Sequence, residues 1–133
     1  MKLHLMSHGL WTVLAVYADE ERCDVLDLAN GLRRDDPREF ARLMRAFDRL
    51  SASGQPRNVR RSRPLAHGIF ELKTQGGVRV LYFFDEGRVV VCSEAMPKPK
   101  QRGLALAIER AASSRWRYLN DKRRGALRIV EDQ

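Results

Sequence analysis

Only two of the 133 residues are cysteines, Cys23 and Cys92, and they lie far apart in the chain. No metal site or redox motif has that spacing, so both thiols are expected to be reduced packing residues, Cys23 in a helix and Cys92 in a strand. The chain also lacks any apolar run long enough to cross a bilayer, and no membrane partner is expected. It contains no glycine-rich phosphate loop, no cluster of metal-ligand spacing and no nucleophilic triad. No metal or cofactor is therefore expected. Internal repeats and low-complexity linkers are missing too. A length of 133 residues suits one domain with a sizeable core and falls short of two, so residues 1–133 are read as a single domain.

Acid is the other scarcity. There are 17 Asp+Glu against 25 Lys+Arg, for a formal net charge of +8 and an isoelectric point near 10.2. That excess points to a phosphate-rich partner or another anionic surface. It is unevenly spread: residues 1–54 carry 8 cations against 9 acids, and residues 55–133 carry 17 against 8. The basic surface is expected from the second part. The opening "MKLHLMSHGLWTVLAVYADEE" loosely imitates a secretory signal, but its apolar run is only marginally long and contains Trp11, Thr12 and Tyr17. It is better read as a first strand over residues 10–18, preceded by a short extension holding His4 and His8.

A helix over about 21–34 would place Val25, Leu28, Ala29 and Leu32 on one face. A second begins at Asp36 as cap, with Pro37 in the first helical position and Glu39 completing a capping-box arrangement. Its stripe is Phe40, Leu43, Met44, Phe47 and Leu50. Residues 55–68 read as a loop bearing Arg57, Arg60, Arg61, Arg63 and His67. Three short strands follow, "IFELKT", "VRVLYFFD" and "RVVVCSE", which imply an antiparallel meander. A three-residue first turn puts Phe70, Leu72, Val80, Tyr82 and Phe84 on the core face and Glu71, Lys73 and Arg79 together on the other. A helix over about 100–118 turns Leu104, Ile108, Ala111 and Ala112 inward, with Trp116 and Leu119 extending that face. The tail "NDKRRGALRIVEDQ" is basic, with an apolar segment that either docks as an edge strand or stays mobile. The fold class is α+β.

Without carboxylate or metal machinery, RNA is the substrate that brings its own nucleophile. Its 2′-hydroxyl attacks the adjacent phosphate, leaving the protein to orient the strand, move protons and stabilise the phosphorane. Arg79 suits the last role because a guanidinium offers paired donors to phosphate oxygens and stays charged. Its competing role is a structural ion pair with Glu71. His67 is the near-neutral proton carrier closest to the sheet, or simply a turn histidine before Gly68. Lys98 and Lys100 hold phosphates, or belong to a solvated loop. Tyr82, Phe83 and Phe84 at strand spacing are mainly core residues rather than base-stacking ones.

The order of elements, with "GIFELKTQGGVRVLYFFDEGRVVVCSEAMPKPK", resembles the RelE superfamily and, within it, the phage-derived HigB-like toxins, over about residues 10–118. The matching stretches are "IFELK" and "VRVLYF". The resemblance implies a small RelE-like fold of an N-terminal strand, two helices, a three-stranded meander and a C-terminal helix. It also implies a cytoplasmic, metal-independent endoribonuclease that cuts mRNA at the ribosome until a cognate helix-turn-helix antitoxin neutralises it. The catalytic positions it carries over are Arg79, Lys98 and Lys73, beside His67. Arg60, Arg61, Arg63, Lys100 and Arg102 would grip the mRNA or rRNA backbone. Where relatives have a "KKtqktP" stretch, this chain has Lys98, Pro99, Lys100, Gln101, Arg102 and Gly103. The alternatives are a non-catalytic nucleic-acid-binding or phage-derived accessory protein, and a module that docks on an acidic protein.

Overall fold

A computed structural model describes residues 1–54, 62–97 and 101–132, without the side chains of residues 101 and 102. Chain order runs β1 (Lys2–His8), β2 (Thr12–Val16), α1 (Asp24–Asp35), α2 (Pro37–Ser53), β3 (Ser62–Pro64), β4 (Phe70–Lys73), β5 (Arg79–Asp85), β6 (Val89–Met96), α3 (Gln101–Arg123) and β7 (Arg128–Val130). The strands form one mixed sheet in the order β3-β4-β5-β6-β2-β1-β7. Pairing is antiparallel except for β2 with β6 and β1 with β7. The α+β class is as expected.

Both faces of the sheet are covered, by different helices. On one face Val25 and Ala29 of α1 and Leu43, Phe47 and Leu50 of α2 pack with Leu72, Val80, Tyr82, Val90 and Cys92. On the other, Ala107, Ala111 and Tyr118 of α3 pack with Leu14, Val16, Leu81, Phe83 and Val91. A strand covered on both sides has to be apolar throughout, which is why "VLYFF" does not alternate with polar residues. Thr74 and Val78 close the β4–β5 turn by a backbone hydrogen bond of 2.9 Å around three loop residues. The pairs Phe70↔Tyr82, Leu72↔Val80 and Lys73↔Arg79 follow, the register expected from the pattern.

Asp36 caps α2 by accepting a hydrogen bond from the Glu39 amide, with Pro37 opening the helix. The capping box is only half made, because the Glu39 side chain turns instead to Thr74 and Arg42. Gly54 ends α2 at φ 80°, where a Cβ would also strike the Trp11 ring. That ring lies edge-on to Phe84.

Three expectations need correction, and the open alternative for the tail is resolved. The first strand starts at Thr12, and the supposed extension before it is itself strand β1. There His4 is buried, with Nδ1 2.9 Å from the Tyr17 hydroxyl and Nε2 3.1 Å from Asp132. Part of the loop at 55–68 is β3, whose Ser62 hydroxyl meets Tyr82 in the core. The tail docks as β7 beside β1. Finally, Trp116 is 67% exposed. The inward stripe of α3 runs through Ala107, Ala111, Ser114 and Tyr118, and residue 116 lies some 200° around the helix from both 114 and 118.

Candidate nucleic-acid interface

At the end of the sheet, the register sets Lys73, Arg79 and Met96 side by side on β4, β5 and β6. Two cations directly opposite each other disfavour the sheet. The offsetting charge is Glu71, two residues along β4 and only 3% exposed at its side chain. Its Oε2 accepts from Arg79 Nη1 at 2.9 Å and its Oε1 from Arg63 Nε at 3.1 Å. One buried carboxylate thus holds two guanidiniums, leaving Arg63 half exposed and Arg79 18% exposed. Arg79 Nε is buried and without a partner among the described residues. The guanidinium is therefore fixed in direction with donor capacity to spare.

The fold brings Arg79, Lys73 and Arg63 together and keeps His67 apart. His67 is exposed, at φ 57°, in the turn between β3 and β4. The length of β4, about 10 Å, separates that turn from the Lys73–Arg79 end. Arg60, Arg61, Lys98 and Lys100, like Arg57, lie outside the described residues, as does the side chain of Arg102. β6 ends at Met96, opposite Arg79, so the chain leaves the sheet toward the Lys98 stretch from the place where Arg79 stands. Tyr82 and Phe83 are fully buried and Phe84 partly so, which removes them as base-stacking residues. Both cysteines are free and buried, and burial raises the Cys23 thiol to about 11. Among the described residues no group of side chains could hold a metal, and no helix is long and apolar enough to cross a membrane.

The sequence reading missed a second basic feature beside this one. Arg42, Arg45 and Arg49 of α2 line a groove with Lys73, Thr74 and Gln75. Beneath it lies Glu39, 4% exposed, which accepts from the Thr74 hydroxyl and, at 3.0 Å, from Arg42 Nη1. Gly76 crosses directly over this carboxylate, and a Cβ there would collide with it. The signal was the spacing of arginines on α2, hidden by the neutral average of residues 1–54.

Behind the sheet, a β-bulge at Leu81/Tyr82 inserts Ser93 and places Glu94 opposite Leu81, on the α3 side. Glu94 Oε2 is 3.7 Å from Arg110 Nε. Burial, with the hydrogen bond and charge of Asp24 adding to it and Arg110 opposing, raises the Glu94 carboxyl from 4.5 to about 7. The folded chain then binds a proton that the unfolded chain releases, so stability falls as pH climbs from about 4.5 to 7 and then levels off. Glu94→Gln should remove that decline. Urea midpoints at pH 5 and pH 7.5 are expected to show wild type losing on the order of 2 kcal/mol relative to the variant. Parallel behaviour of the two proteins would count against it.

Residues 31–115, from the second half of α1 to the middle of α3, match the family model described as Phage derived protein Gp49-like (DUF891). No curated protein matches the chain.

Proposed function

The chain belongs to the Gp49-like family of phage-derived proteins, a RelE-like, toxin-related family, and from that premise we propose that it is the HigB-like toxin of a toxin-antitoxin pair. It cuts mRNA on the ribosome and so stops translation. The observation that carries this reading is the row Lys73–Arg79–Met96, with Arg79 locked in direction by buried Glu71.

In the reaction, the RNA 2′-oxygen bonds to the neighbouring phosphorus, the bond to the 5′-oxygen breaks, and a 2′,3′-cyclic phosphate forms. One proton leaves the 2′-hydroxyl and one reaches the departing 5′-oxygen. Arg79 faces the charge that builds on the phosphorane, where a fixed donor acts most strongly. Lys73 and Lys98 hold the phosphate and serve the proton transfers. His67, at the other end of β4, stands outside this cluster. Arg60, Arg61, Arg63, Lys100 and Arg102 grip the RNA backbone, and the partner that silences the protein is a helix-turn-helix antitoxin.

The test is a reconstituted translation reaction. Added protein should cut the message under translation into fragments with 2′,3′-cyclic ends and leave free message intact. Uncut message and continuing translation would sink the proposal. The commitment of Arg79 to Glu71 favours one second reading, a non-catalytic RNA-binding protein. Salt-sensitive RNA binding without cleavage would select it.

A further inference from the structure

The first 54 residues carry 8 cations and 9 acids, yet four of those cations share one line. Arg38, Arg42, Arg45 and Arg49 are spaced by four, three and four residues, which places them within a narrow stripe along α2. Like charges at these spacings oppose helix formation, so stability does not account for the stripe. Apart from Glu39, which lies beneath and pairs with Arg42, the acids lie elsewhere. Asp19, Glu20 and Glu21 precede α1, and Asp48 faces β1, where Ser7 bonds it.

Packing of α2 against the sheet turns the stripe into one wall of a groove. Arg42, Arg45 and Arg49 face Lys73, Thr74 and Gln75 across it, and among the described residues no carboxylate lines it. Arg42 is held by buried Glu39, which also fixes Thr74 on the opposite wall. The exposed Arg45, Arg49 and Lys73 side chains make no hydrogen bond or ion pair with any described residue. Among the described residues the groove therefore has one braced guanidinium and three uncommitted cations. Lys73 belongs to it and also sits opposite Arg79. The groove and the Arg79 row are thus continuous around the end of β4.

We propose that this α2 groove is a seat for the phosphates of a single-stranded RNA backbone leading to or from Arg79. The inference rests on the RNA-directed reading above and adds the path of the strand. Among the described residues no aromatic side chain lines the groove, so its contacts are with phosphate and independent of base sequence. Each phosphate seated there releases counterions and adds about 0.7 to the salt dependence of binding to a single strand.

The experiment measures fluorescence anisotropy of a labelled single-stranded oligoribonucleotide of about twelve residues over a salt series. Wild type is compared with Arg45→Gln/Arg49→Gln and with a control, Arg33→Gln/Arg34→Gln, which removes the same charge from exposed positions of α1. Thermal melts verify that both variants fold. The groove variant should bind about tenfold more weakly at low salt, with a log–log slope shallower by about 1.4, two phosphates' worth. The control should stay close to wild type. A groove variant that behaves like the control overturns the inference and leaves the cleavage reading standing. The expected slope change in a protein that cuts no message supports the groove and defeats cleavage. A wild type that ignores RNA altogether, or a groove variant that loses only binding to an acidic peptide, overturns the inference.

Discussion

Replacing Arg79 by alanine should abolish the growth arrest caused by induced expression and lower cleavage of translated mRNA by about 10²–10³-fold, the usual cost of losing one fixed donor to a developing oxyanion. The same change strips Glu71 of its more buried partner, leaving only half-exposed Arg63. Breaking the more buried of the two pairs at a carboxylate of 3% exposure costs about 3 kcal/mol of stability. Loss of activity alone would therefore be ambiguous. The double variant Glu71→Gln/Arg79→Ala separates the two effects, because a neutral amide needs no cation. It should recover most of the stability lost and none of the cleavage. An Arg79→Ala protein as toxic as wild type would remove the catalytic role of this arginine. A double variant that regains activity would reduce it to a structural ion pair.

Phe83→Ala should produce the largest loss of stability, about 3–5 kcal/mol, against a total of roughly 5–15 kcal/mol for a protein of ordinary stability. Phe83 is fully buried on the α3 side of the sheet, and its ring meets Tyr118 edge-to-face at 5.4 Å. Tyr118 donates to Asp85 at 2.7 Å, and Lys122 reaches the same carboxylate at 2.9 Å. The phenyl ring thus underlies the main tie between α3 and β5. Urea denaturation should show an earlier midpoint with an unchanged slope. A loss below about 1 kcal/mol would mean that the neighbouring side chains collapse into the space, contrary to close packing.

The meander and the second helix were legible in the sequence because several local signals agreed there. The three-residue turn and the Phe70, Leu72, Val80, Tyr82, Phe84 alternation give one register, and a slip would bury Arg79. The pairing of Arg79 with Glu71 follows from the same register. β1 was illegible because its buried polar residue, His4, bonds Tyr17 and lies 3.1 Å from Asp132, near the other end of the chain. No local pattern announces such a partner. β7 depends on β1 and was undecided for the same reason. Trp116 was misplaced by extending an apolar stripe along the wrong line of α3. The arginines of α2 escaped notice because charge was summed over a segment, whereas folding sorts charge by helix face. His67 was read as the proton carrier closest to the sheet, and the direction of β4 sets it at the end away from Arg79.

The parallel contact between β2 and β6 joins residues about 75 positions apart, Val13 with Val90 among them. The two strands flanking this seam therefore have very different histories on a chain made from its N-terminus. At about 5–20 residues per second, β2 waits roughly 4–15 s for the strand that completes its edge. Local hairpins have ample time to close before then, since they form within microseconds. Contact order so divides assembly into an early meander and a late sheet closure. Met96, the neighbour of Arg79, lies within the meander, so the cationic row is in place before the sheet closes on β2.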